Sequence, residues 1–331
     1  MNQVNKNIKV SVVIPTKNAG LLLASVLDAI LSQQTDWPFD VLVIDSGSTD
    51  GTVALVKQMS SVRLIEIPAK EFAHGKTRNF AISQTNGEYI AMLTQDALPA
   101  NQLWLAGLVN TIDADQRIAG VFGRHIAYPE ATVFARQELE QHFLGFLPQP
   151  VVELNDSIRY EQEEGYRQFL YFFSDNNALL RRSVWEAIQY PEVDFAEDQA
   201  WAKLIIEAGY RKAYAHDAVV FHSHNYGFWE RLQRSFDEAY SLGRLFNYQH
   251  GRGFRHAVRS FVGITRRDFR FALQKDLHRT DFFQFFSMPL DNLMRITGHY
   301  LGANGSKLPR CVRLCLSRDR QLQIQSIDVM T

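Results

Sequence analysis

Several short stretches of the chain concentrate residue types that do chemistry. The run VLVIDSGSTDGT, residues 41–52, ends an apolar, β-branched stretch on Asp45, then packs Ser46, Ser48, Thr49, Asp50 and two glycines into a few positions. A tight turn of this kind, leading into a helix, presents a carboxylate and several N–H groups to a nucleotide base or ribose. Ser48, Thr49 and Asp50 equally suit capping of that helix. AHGKTRNFA, residues 73–81, offers Lys76, Arg78 and Asn79 at a helix start, where the dipole and a guanidinium favour an anion such as a diphosphate. MLTQDALP sets Gln95 and Asp96 just past an apolar run, and FFSDNNALL sets Asp175, Asn176 and Asn177 just before one; loop capping is the competing use of the latter. In AEDQAW, Glu197 and Asp198 open an amphipathic segment, where acids also serve the helix dipole. VVFHSHNYG puts His222 and His224 two apart, on one side of an extended segment.

The elements that must position these residues follow from periodicity. Residues 10–15, 40–45, 62–67 and 88–94 read as strands, with helices near 19–33, 51–59 and 74–85. That alternation predicts an α/β fold with a mostly parallel sheet flanked by helices, and the near-continuous apolar strands predict burial on both faces. Ligands of such sheets sit at the carboxyl ends of the strands, so the loops PTKNAG, DSGSTDG and TQDALP are where chemistry is expected. A second block over 117–225 completes the sheet and carries an acceptor side. From 226 onward the pattern turns helical, with Phe254, Val258, Phe261 and Val262 spaced for one face and arginines for the other. The expected division is therefore 1–225 and a helical region 226–331.

Other classes lose support. The spacing G-x-G-x-x-G is absent, and no G-K-[ST] follows a glycine-rich loop, which argues against a nicotinamide dehydrogenase and a P-loop NTPase. PTKNAG also lacks the basic glycine-rich loop of a nucleotidyltransferase. The formal net charge of −1 over 331 residues gives no reason to expect a nucleic-acid partner. Two cysteines, Cys311 and Cys315, cannot complete a four-thiolate site. The first ten residues lack an apolar secretory core, so the cytoplasm is the expected compartment. Residues 251–280 nonetheless carry eight Arg or Lys against two Asp, interleaved with Phe. This suits a membrane-surface element, a helical cap or a homo-oligomer interface.

In order and spacing, VSVVIPTKNAG, VLVIDSGSTDGT, HGKTRN, TQDA and AEDQAW resemble the family 2 inverting glycosyltransferases of GT-A (Rossmann-like) fold, and HGKTRN and TQDA resemble their bacterial rhamnosyltransferase branch. The resemblance spans roughly 8–225. It implies that Pro15, Thr16, Asn18 and Ser46 line the nucleotide and that Asp45 accepts from the base N–H. It implies a divalent cation, Mg²⁺ or Mn²⁺, on Asp96, with His224 or His222 as a further ligand; Gln95 departs from the acidic pair usual at this point. Asp198 becomes the general base, with Asp175, Asn176, Glu197 and Trp201 on the acceptor side. The function implied is transfer of L-rhamnose from dTDP-L-rhamnose to a lipid-linked surface glycan of O-antigen or capsule type, at the inner face of the plasma membrane. The same fold with a UDP-hexose donor, and a catalytically silent glycan-binding subunit, are the alternatives.

Overall fold

The computed structural model describes residues 8–193, 195–249 and 251–319. They form two compact units. The first contains the sheet and is built from residues up to 129, 138–193 and 197–223; the second is built mainly from the helices beyond Phe228, with residues 130–137.

The sheet unit has strands β1 (Val10–Thr16), β2 (Phe39–Asp45), β3 (Val62–Glu66), β4 (Tyr89–Leu93), β5 (Leu98–Pro99), β6 (Ile118–Ile126), β7 (Val151–Val152), β8 (Asn177–Arg181) and β9 (Arg211–Phe221). Their order is β3-β2-β1-β4-β8-β6-β9-β5, with β7 paired to β9. The first four are mutually parallel, as the alternation predicts. Beyond β4 the sheet is mixed: β8 runs antiparallel to both β4 and β6, and β9 parallel to β6. Val12, Ile14, Val41, Val43, Leu93, Trp104 and Leu105 belong to one core cluster, the burial expected of strands with helices on both faces.

Register brings the chemistry to one edge. Thr16 pairs with Asp45 where β1 and β2 end. Leu93, the last residue of β4, pairs with Asn177, the first of β8, so a strand of opposite direction starts where its neighbours finish. Ile126 pairs with Phe221 at the common end of β6 and β9. The segments holding Asp45, Asp96, Asp175 and His222 therefore all leave or enter the sheet at the carboxyl edge.

In the helical unit, Phe228–Phe246 and Phe282–Ala303 pack so closely that a Cβ on Gly298 would lie 2.2 Å from the Leu232 carbonyl oxygen, and one on Gly302 2.3 Å from that of Phe236. Glycines at these positions let the backbones touch. The apolar stripe expected on Phe254–Gln274 is largely uncovered: Phe254, Val258 and Val262 are exposed, whereas Asp268 and Ala272 are buried. Periodicity locates an apolar stripe but does not say what covers it. Cys311 and Cys315 are free and exposed. Among the described residues, no helix is long and apolar enough to cross a membrane.

Candidate active site

The turn after β2 is held largely by its own polar groups. Asp45 is buried, and its Oδ1 accepts from the N–H groups of Gly47 (2.9 Å) and Ser48 (2.8 Å), while the Ser48 hydroxyl donates to Oδ2. Asp50 accepts from the N–H and hydroxyl of Thr52, the first residue of a short helix, and from Gly20 N–H at 2.9 Å. These bonds hold its carboxyl below the usual carboxylate range, the Thr52 hydroxyl contributing most.

The loop after β1 is fastened to that turn. Asn18 adopts a left-handed conformation (φ 48°), donates its N–H to the Ser48 hydroxyl at 2.7 Å and accepts from Thr49 N–H at 2.8 Å. Ser46 N–H donates to the Thr16 carbonyl at 2.9 Å. Gln95 adds a third strap: its Oε1 accepts from Lys17 N–H at 2.8 Å and its Nε2 donates to the Lys17 carbonyl at 3.2 Å. A carboxylate at 95 would repel that carbonyl instead of donating to it. The amide that departs from the usual acidic pair thus holds the loop after β1 in place.

One residue on, Asp96 Oδ1 lies 3.6 Å from His222 Nε2, and His224 follows two residues later on the same segment. Asp96, His222 and His224 each offer one ligand atom, all within 4.8 Å of one another. Donors sharing one ion at about 2.0–2.2 Å stand roughly 3 Å apart, so small side-chain rotations suffice. A carboxylate with imidazoles suits Mg²⁺ less than Mn²⁺ or another borderline divalent ion.

A second cluster lies where the helix His74–Ser83 meets β8 and the helix Glu197–Glu207. Arg78 is buried; its Nε pairs with Asp175 Oδ2 at 2.8 Å and its Nη1 with Glu197. Tyr190 donates its hydroxyl to Asp175 Oδ1 at 2.8 Å. Asp198 accepts from the backbone N–H groups of Asp175 (3.3 Å) and Gln199 (2.8 Å). Burial first, then the negative charges of Glu197 and Asp175, raise Asp198 to about 8, with Arg78 opposing. Burial also raises Asp175, again against Arg78. A largely buried carboxyl with so basic a character is suited to taking a proton near neutral pH.

Other expected site residues have different tasks. Arg78 is enclosed by carboxylates rather than presented to a diphosphate. Asn79 binds the backbone of Tyr190 at both N–H and carbonyl and accepts from Trp185 Nε1, so its side chain clamps β8's flanking segments. Trp201 is fully buried, donates to the Ile188 carbonyl and packs on Phe173 and Tyr190; it belongs to the core, not to an acceptor surface. Lys76 is exposed, and Asn176 lies half-buried beside the cluster.

Tyr190 and Gly75 were invisible as site residues. Tyr190 sits in no motif, and Gly75 is explained only by a close approach: a Cβ there would lie 2.2 Å from the Pro191 carbonyl oxygen. Gly75→Ala is expected to displace the first turn of the Arg78-bearing helix and to cost about 1–3 kcal/mol, as overpacked cores do. Urea unfolding reads this directly, and an unchanged midpoint would mean that the contact relaxes without cost.

Residues 11–188 match the family described as Glycosyl transferase family 2. The O-antigen chain rhamnosyltransferase RfbN of Salmonella typhimurium is 34% identical over 310 residues, 91% of each chain. The chain belongs to glycosyl transferase family 2. WbaN, an O-antigen chain rhamnosyltransferase of Salmonella anatum, is another relative, 29% identical over 90% of each chain. Among solved structures, a mannosyltransferase from Pyrobaculum calidifontis, in complex with GDP-Man and Mn²⁺, superposes with a TM-score of 0.59 at 17% identity, covering 90% of this chain and 88% of that one. Residues 1–349 of S. aureus TarS, in complex with UDP-GlcNAc, give 0.52 at 18% identity, covering 91% and 92%. These likenesses establish the fold, and the family makes the protein a glycosyltransferase.

Proposed function

We propose that this family 2 glycosyltransferase moves L-rhamnose from dTDP-L-rhamnose, with inversion, to a lipid-linked O-antigen-type glycan at the cytoplasmic face of the plasma membrane. The observation that carries the reading is the identity to RfbN along 91% of both chains. The register that brings the segments of Asp45, Asp96 and Asp175 to one sheet edge, with Asp198 accepting from Asp175 N–H, supports it.

The reaction is a single displacement. An acceptor hydroxyl oxygen forms a bond to the anomeric carbon while that carbon's bond to the diphosphate oxygen breaks, and dTDP leaves with the bonding pair. Asp198 takes the hydroxyl proton. Glu197, Asp175, Arg78 and Tyr190 hold it in place and set its basicity. The straps from Asn18, Gln95 and Ser48 hold the two loops that face the nucleotide. Asp96, with His222 and His224, would hold the divalent cation, which supplies positive charge to the departing diphosphate.

The test is titration with dTDP-rhamnose, UDP-glucose, UDP-galactose and GDP-mannose, with Mg²⁺, Mn²⁺ or EDTA, reading binding and slow donor hydrolysis. Preference for dTDP-rhamnose is expected. EDTA or Asp96→Asn is expected to lower turnover by roughly 10²-fold or more, because charge stabilisation by such an ion is worth several kcal/mol. Preference for another donor removes the rhamnosyl reading. Turnover indifferent to EDTA and to Asp96→Asn removes the metal.

A further inference from the structure

We propose that the helices Phe254–Gln274 and Phe282–Ala303 form a docking face for an anionic lipid surface. The inference deepens the reading of a lipid-borne acceptor and relies on it for its purpose, while its evidence lies in these two helices alone.

The first helix exposes Phe254, Val258, Val262, Phe269 and Leu273. Their spacing of four, four, seven and four follows one stripe of an α-helix. Arg255, Arg259, Arg266 and Arg270 are also exposed and stand one position after a stripe residue or its helical equivalent. Cations therefore flank an apolar ridge along its whole length. The sole carboxylate of this helix, Asp268, is buried, accepting from Asn292 Nδ2 at 2.9 Å and pairing with Arg267. No acid on this helix opposes the arginine row.

The second helix adds the bulk. Phe282, Phe283 and Phe286 are 66%, 76% and 60% exposed, although phenylalanine is ordinarily kept from water. The two helices lie antiparallel, since Phe269 meets Phe285 (centroids 5.0 Å) and Phe254 meets Tyr300 (6.2 Å). Phe286 contacts both Phe282 and Phe285, so the exposed rings continue from the ring contact between the helices.

An in-plane amphipathic element needs an apolar ridge to enter the acyl boundary and flanking cations whose stems reach the headgroups. Both are present. A second copy of this chain is a poorer occupant, because a two-fold contact would set one arginine row against another. Lipid phosphate neutralises the row that self-association would have to bury.

The experiment is co-sedimentation of the full chain with vesicles of phosphatidylcholine alone or of equimolar phosphatidylcholine and phosphatidylglycerol, at low and high salt. Binding to the anionic vesicles, weakened by salt, is the expected result. Substituting all four arginines, Arg255→Gln, Arg259→Gln, Arg266→Gln and Arg270→Gln, should weaken it more than tenfold, since each cation near an anionic surface contributes about fivefold. Phe282→Ser with Phe283→Ser and Phe286→Ser should weaken it comparably, and the single change Phe283→Ser, at a side chain too exposed to threaten folding, should weaken it measurably. Donor binding and hydrolysis should be unchanged in all of them, which separates failure of the lipid face from failure of the catalytic reading. The proposal is overturned if the wild type ignores anionic vesicles, if the variants sediment like the wild type, or if light scattering finds a dimer that the phenylalanine variants dissolve.

Discussion

Asp198→Asn is expected to lower turnover by about 10²–10⁴ while donor affinity stays within a few fold, since a general base acts on the transition state and leaves donor contacts alone. The measurement is single-turnover transfer beside donor titration; loss of donor binding in parallel with turnover would remove the assignment. The pH dependence sharpens the test. The wild-type rate should climb toward pH 8, as the raised Asp198 carboxyl ionises. Stability should move the other way. A carboxyl whose pKa is raised on folding favours the folded state in its protonated form. Its contribution is complete below the ordinary value of about 4 and is lost as pH rises toward the folded value. Asp198→Asn should therefore melt higher than the wild type at pH 8 and above, with the gap closing toward pH 5. A gap that widens toward acid would mean that Asp198 is stabilised as the anion.

Arg78→Met is expected to be the most destabilising single change in the sheet unit. It leaves Asp175 and Glu197 buried without their shared counter-charge, a loss that typically costs about 3–5 kcal/mol. That is a large part of an ordinary domain's stability of about 5–15 kcal/mol. Arg78→Lys should recover only part, since one ammonium cannot reproduce a guanidinium that meets one carboxylate through Nε and another through Nη1. Asp175→Asn with Glu197→Gln on the Met background should recover more, because no ion is then left unpaired. Urea midpoints decide the matter. A Met variant within about 1 kcal/mol of wild type would show that the carboxylates simply take up protons at no cost to the fold.

Much of this fold was legible because local signals and global burial agree. The strands expected at 10–15 and 40–45 occur at Val10–Thr16 and Phe39–Asp45, and the helix expected from 74 begins at His74. The two-residue strands β5 and β7 were not legible, being too short for periodicity to register. The turn after Asp45 showed its polar wealth but not its use, much of which is internal bonding. The tasks of Arg78 and Asn79 depend on partners more than a hundred residues away, a distance at which residue type says what a side chain can do but not what it meets. Trp201 follows the acids of AEDQAW, yet its ring turns into the core, because a helix presents successive residues about 100° apart.

The separation of Arg78 from Glu197, 119 residues, also bears on how the enzyme is made. At roughly 5–20 residues per second, a ribosome needs about 6–24 s to supply the second after the first. For most of that interval the parallel strands β1–β4 have all their mutual partners, whereas neither carboxylate that pairs with Arg78 has been made, Asp175 preceding Glu197 only shortly. Synthesis thus completes the parallel half of the sheet first and the buried carboxylate cluster around Arg78 last.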